Sequence, residues 1–114
     1  MSVYLLHGLR PWLFQRLSAI YILLFSVYIG YSFAAAGAIN YGLWREWLFD
    51  PPNTIAVGLF VIALLIHAWV GIRDVILDYV HNTLIRVVAF TVVMLMLIAS
   101  GLWSAKILLI SVVI

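Results

Sequence analysis

The amino-acid sequence predicts an all-α membrane protein with three transmembrane helices and a cytoplasmic N-terminus. Hydrophobic residues make up 68% of its 114 positions and charged residues 9%, and mean hydropathy is +1.23, so there is far too little polar surface to cover a soluble core of this size. Three apolar stretches are each long enough to cross about 30 Å of hydrocarbon, which takes roughly 20 residues at 1.5 Å per residue. Three crossings put Arg10, Arg16, Arg73 and Arg86 on one side and Arg45 and Lys106 on the other. That bias places the N-terminus and the second connection in the cytoplasm.

The first helix is expected over about 12–38, around "LSAIYILLFSVYIGYSFAAAGA", with Pro11 in its first turn, where a missing N–H costs least. "AAAGA" at 34–38 has the small residues of a cleavage site, but the apolar run exceeds the usual 7–15 residues of a signal peptide, so it is read as a helix. The second is expected over 51–79, with Asp50 as N-cap and Pro51 at the first helical position. The third is expected over 83–112, and the short "HNT" connection makes it an antiparallel hairpin with the second. Tyr41, Trp44 and Trp47, beside Arg45 and Glu46, have the composition of an interfacial belt on the outer face. Lys106 precedes the apolar tail "ILLISVVI", so it either snorkels from a tilted helix or faces a protein partner.

Composition also excludes chemistries. With no cysteine, the chain has no disulfide, no thiolate metal site and no ligand for an iron–sulfur cluster. A net charge of +2, spread over segment ends, suits lipid headgroups and topology, and nucleic acid is discounted because its binding needs clustered Lys and Arg.

"LLIHAWVGIRDVILDYVH", residues 64–81, sets a histidine in hydrocarbon and acids just beyond it. Entering at Pro51, the helix carries His67 about 24 Å along its axis, past the midplane toward the cytoplasm. Positions 67, 71, 74 and 78 share a helical stripe, so His67, Gly71, Asp74 and Asp78 run together toward the cytoplasmic boundary. Such a stripe cannot face lipid, and an ionisable group at this depth marks a functional site. Two readings of His67 stay open from the residues alone. One is a neutral imidazole hydrogen-bonded to a neighbouring helix. The other is an axial haem ligand, with Gly71 letting the macrocycle approach the backbone. Gly71 has a second reading as helix packing, Tyr79 as a belt tyrosine, Arg16 as a topology charge, and Trp69 is read as packing. His7 and His81 lie too near the ends to face His67, so a six-coordinate iron would take its second imidazole from another subunit. Arg73 is placed to neutralise Asp74 or Asp78. Ser100, Gly101 and Ser104 form a small-residue face where another helix can approach.

"HAWVGIRDVILDYV" at 67–80, preceded by "WLFQRLSAIYI" at 12–22, resembles the hydrophobic membrane-anchor subunits, lettered D, of bacterial succinate dehydrogenase, respiratory complex II. The likeness covers essentially the whole chain. It implies that His67 supplies one axial ligand to a haem b shared with a companion cytochrome b anchor subunit. It implies that Tyr79, helped by Asp78, borders a ubiquinone site near the cytoplasmic face, beneath the iron–sulfur subunit, with a flavoprotein subunit as a further partner. Arg16 matches the family arginine at the start of the first helix, a candidate for haem-propionate or quinone-site electrostatics. Family members often carry a histidine where Arg10 stands, and Arg10 keeps a positive charge for a propionate there. The expected setting is the bacterial inner membrane, with roles in electron transport and the tricarboxylic acid cycle. The chain would not itself oxidise succinate, having neither a flavin fingerprint nor cluster cysteines. Two other readings stand beside this one: the anchor of a fumarate reductase-type quinol enzyme, and a small structural or proton-conducting membrane protein using His67 and the acidic pair.

Overall fold

The computed structural model describes the backbone of residues 3–113 and the side chains of residues 8–110. The chain is helical throughout, in the order α1 (Val3–Ala36), α2 (Tyr41–Phe49), α3 (Pro51–Tyr79) and α4 (Thr83–Val113). Within α1, α3 and α4, the stretches Gly8–Ala36, Pro51–Tyr79 and Thr83–Ile110 are each long and apolar enough to cross a membrane. His7, expected near the start of the first crossing, has its side chain outside the described residues.

Two features differ from the sequence expectation. Helix α1 begins at Val3 rather than near 12, so Pro11 lies inside it. Proline's fixed φ suits a helix, but inside one it lacks the N–H for the carbonyl four residues back and its ring crowds that carbonyl. The segment read as a belt is itself a helix, α2, started by Asn40, whose Oδ1 accepts the Leu43 N–H at 2.8 Å. Tyr41 and Trp44 of α2 are exposed as a belt requires, but Trp47 turns inward. Its ring lies 5.3 Å from Phe33, 6.2 Å from Tyr28 and 6.4 Å from Phe25, so α2 folds down over the ends of α1 and α3. The reversal between α1 and α2 uses Gly37 at φ +85°, a left-handed cap that a side chain would strain.

Helix α3 is the middle helix. It packs against α1 and α4, and among the described residues those two do not pack on each other. Polar groups tie α1 to α3: the Tyr21 hydroxyl donates to the Ala56 carbonyl at 2.7 Å and the Tyr28 hydroxyl to Asn53 Oδ1 at 2.6 Å. Asn53, which is buried, also donates from Nδ2 to the Trp47 carbonyl at 3.0 Å, so one amide joins α1, α2 and α3. On the other flank a side chain at Gly101 would meet Leu65 Cδ1 at 3.0 Å, so the small-residue position on α4 is occupied from within the chain. Trp69 packs on Phe90, ring centroids 5.8 Å apart, across the same contact.

The core is thin. Phe25, Leu48, Ala63, Val70 and Ile76 are its buried apolar side chains, and the accessible surface of 8403 Å² is about a third above the ~6,300 Å² of a folded soluble monomer of this mass. In hydrocarbon that excess carries no hydrophobic cost. The weight of specificity then falls on polar ties and close packing.

Tyr28→Phe leaves the buried Asn53 Oδ1 unpaired and Asn53→Ala removes the amide that joins three helices, and each is expected to lower unfolding stability in detergent by roughly 1–3 kcal/mol. Because they share one hydrogen bond, the double variant should lose less than the sum of the two. Strict additivity would show that the Tyr28–Asn53 bond contributes nothing.

Candidate functional site

A cavity of about 540 Å³ opens between α1 and α3. Helix α1 contributes Gln15, Arg16 and Ala19, with Pro11 and Trp12 one turn earlier, and α3 contributes His67, Val70, Arg73 and Asp74. The periodicity explains the set: 67, 70 and 74 return to one face of α3, while 12, 15, 16 and 19 do so on α1. Within an otherwise apolar chain, this is where an imidazole, two guanidinium groups, an amide and a carboxylate converge. Among the described residues, a second cavity of about 500 Å³, lined by Leu65, Trp69 and Met94 between α3 and α4, is apolar.

His67 is half-buried, and its Nδ1 lies 3.2 Å from the hydroxyl of Ser18, a residue only 6% exposed. The Ser18 hydroxyl also reaches the Gln15 carbonyl at 3.0 Å. Arg16 is exposed and stacks its guanidinium over Trp12, 5.6 Å from the ring centre. Gln15 Oε1 is buried without a hydrogen-bond partner.

His67 and Asp74 line the cavity, and Gly71 between them faces α1, where a Cβ would sit 3.5 Å from Gln15 Nε2, an ordinary contact. Arg10 is exposed and is not among the cavity-lining residues, unlike Arg16 and Arg73. Asp78 and Tyr79 lie beyond the cavity at the end of α3, both exposed, Tyr79 at 79%. The backbone carrying them is held from α4. Arg86 donates from Nη2 to the Leu77 carbonyl at 2.8 Å and from Nε to the Val80 carbonyl, placing a cation on the carbonyl end of the helix. Asn82 starts α4 by accepting the Leu84 and Ile85 N–H groups at 3.0 and 3.2 Å.

A family model for the succinate dehydrogenase/fumarate reductase transmembrane subunit matches residues 4–103. The chain belongs to that family. It is also similar to the succinate dehydrogenase hydrophobic membrane anchor subunit of Coxiella burnetii (strain RSA 493 / Nine Mile phase I), 28% identical over 99 residues that cover 87% of this chain and 86% of the relative. The protein is therefore a multi-pass membrane anchor of the succinate dehydrogenase/fumarate reductase family, a subunit of a larger complex. That role suits its architecture: an anchor is built to be covered by lipid and by other subunits, and its thin core and exposed Tyr79 leave surface for both.

Sequence reasoning named His67, Arg16, Gly71 and the Asp78–Tyr79 pair but passed over Ser18 and Gln15. A signal was present, since two polar residues three apart interrupt an apolar helix on one face. Arg86, read only as a topology charge, is the clamp on the α3 terminus.

Arg86→Gln removes that clamp. Amide exchange at Tyr79 and Val80 should then rise roughly tenfold in hydrogen-exchange mass spectrometry, the worth of about one net hydrogen bond. Unaltered protection would show that the α3 terminus is held by something else.

Proposed function

We propose that this chain anchors a succinate:quinone oxidoreductase in the bacterial inner membrane, holds one side of a haem b through His67, and helps form the site where ubiquinone is reduced. The observation that supports this most directly is the meeting of His67, Arg16 and Arg73 on one cavity. Among the described residues no three His, Asp or Glu side chains converge, so the donor set does not suit a bare metal ion. One imidazole suits an iron whose remaining positions are filled by a macrocycle and by a companion cytochrome b anchor subunit. With Nδ1 facing Ser18, Nε2 is the nitrogen left to coordinate. Arg16 and Arg73 offer fixed positive charge to the carboxylates of such a group, and Arg10 extends that charge toward the cytoplasmic edge. Gly71, one turn from His67 and without a side chain, would let the macrocycle approach the α3 backbone.

When bound, the haem supplies a one-electron redox centre within the membrane. The remaining chemistry at this chain is that of the quinone, which takes two electrons and two protons to become the quinol. Tyr79 donates its phenolic proton in a hydrogen bond to a quinone carbonyl oxygen, and Asp78, exposed beside it at the end of α3, orients that network and passes protons to it. Both residues are open in the single chain, so the site is completed by the iron–sulfur subunit and the companion anchor, with the flavoprotein subunit oxidising succinate beyond them. The Coxiella relative's name favours succinate oxidation over the fumarate-reducing direction that the family also includes.

In the purified complex, His67→Ala should abolish the low-spin bis-imidazole signal in optical and paramagnetic-resonance spectra. A wild-type spectrum would remove His67 from the iron. Tyr79→Phe should reduce quinone reduction by roughly tenfold, the worth of one hydrogen bond, with dye-linked succinate oxidation and assembly retained. Equal loss of all three would assign Tyr79 to packing.

A further inference from the structure

We infer that Ser18 is the positioning residue that fixes the tautomer and ring orientation of His67 and thereby tunes the electronic character of the metal ligand. This rests on the haem reading above and deepens it.

Among the described residues, the other serines of the apolar helices follow a rule that Ser18 breaks. Ser26, Ser32, Ser100 and Ser104 each return the hydroxyl proton to the carbonyl four residues back, at 2.7–2.9 Å, and none of them is buried. That is how a lone hydroxyl in hydrocarbon satisfies itself. Ser18 is buried, bonds the carbonyl three residues back, and spans to another helix at His67 Nδ1.

The chemistry follows from counting protons. A hydroxyl has one proton to give and lone pairs to receive another. An imidazole that coordinates through Nε2 must carry its proton on Nδ1, where it needs an acceptor. Ser18 can be that acceptor only if its own proton goes elsewhere, and the Gln15 carbonyl at 3.0 Å takes it. The run from Nδ1–H to Ser18 Oγ–H to the Gln15 carbonyl is thus satisfied at every step in the tautomer that coordination requires. In the opposite tautomer the hydroxyl proton would have to leave the Gln15 carbonyl for Nδ1, and Nε2 would carry a proton instead of a free lone pair. A hydrogen bond from Nδ1–H raises the basicity of a metal-ligating histidine, which favours the oxidised metal. Losing it makes the reduced metal easier to form.

The test uses the purified, fully assembled complex with Ser18→Ala and Ser18→Thr beside wild type, reading the haem midpoint potential and the low-spin g-values. Ser18→Ala should keep the haem yet raise the potential, by up to about tenfold in the reduction equilibrium (about 59 mV for one electron), and shift the g-values as the ring loses its tether. Ser18→Thr, which keeps the hydroxyl, should return both toward wild type. Wild-type potential and g-values in Ser18→Ala overturn the inference, as does a Ser18→Thr shift equal to that of Ser18→Ala, which would signify packing alone. If Ser18→Ala does not assemble, Ser18→Cys keeps a weaker partner at similar volume and should move the potential upward by less; no movement overturns the inference. Failure of the haem reading looks different: the wild-type low-spin signal would then survive His67→Ala.

Discussion

The contact between Ser18 and His67 is the point on which the interior of this protein turns. A titratable ring cannot stand in hydrocarbon without a partner, and the partner comes from the neighbouring helix rather than from the ring's own. Once α1 and α3 are joined there, the other polar residues on the facing surfaces have to meet as well. Gln15, Arg16, Arg73 and Asp74 gather in the same cavity, while the hydroxyls of Tyr21 and Tyr28 make their bonds farther along the same pair of helices. The α1–α3 seam is therefore polar at intervals, and α3–α4 is held mainly by close packing at Gly101 and by Trp69 on Phe90.

That asymmetry divides labour within a small chain. Helix α4 contributes a flat apolar contact and, through Arg86, a clamp on the end of α3. Helix α1 contributes chemistry. Lying between them, α3 carries the imidazole on its α1 side and ends in the Asp78–Tyr79 pair, so one rigid element fixes the spacing between the His67 recess and that pair. Sites on such elements hold their geometry better than sites on loops.

How much of this was legible in the residues varied with the physics involved. The bounds of α3 and α4 were readable because long apolar runs stop at Asp50–Pro51 and at "HNT", and hydrocarbon leaves such runs no other regular structure. Helix α2 was missed because tryptophan, tyrosine and charge together describe a membrane interface whether or not the backbone there is helical, and nine residues give little periodicity to read. The early start of α1 was hidden by Pro11, which marks a helix start more often than an interior. At the site, His67 and Arg16 stood out because charge in an apolar run is rare. Ser18 did not, because a serine in such a helix usually bonds its own backbone, as four others here do, and only the pairing of two helices reveals a different partner.

The thin core has a last consequence, for the protein before it meets its companions. A copy made in excess would rest in the bilayer without penalty along most of its length, since acyl chains cover leucine as well as another helix does. What lipid cannot solvate is the charged recess beside His67. In a lone chain that recess is therefore the part the bilayer leaves worst satisfied.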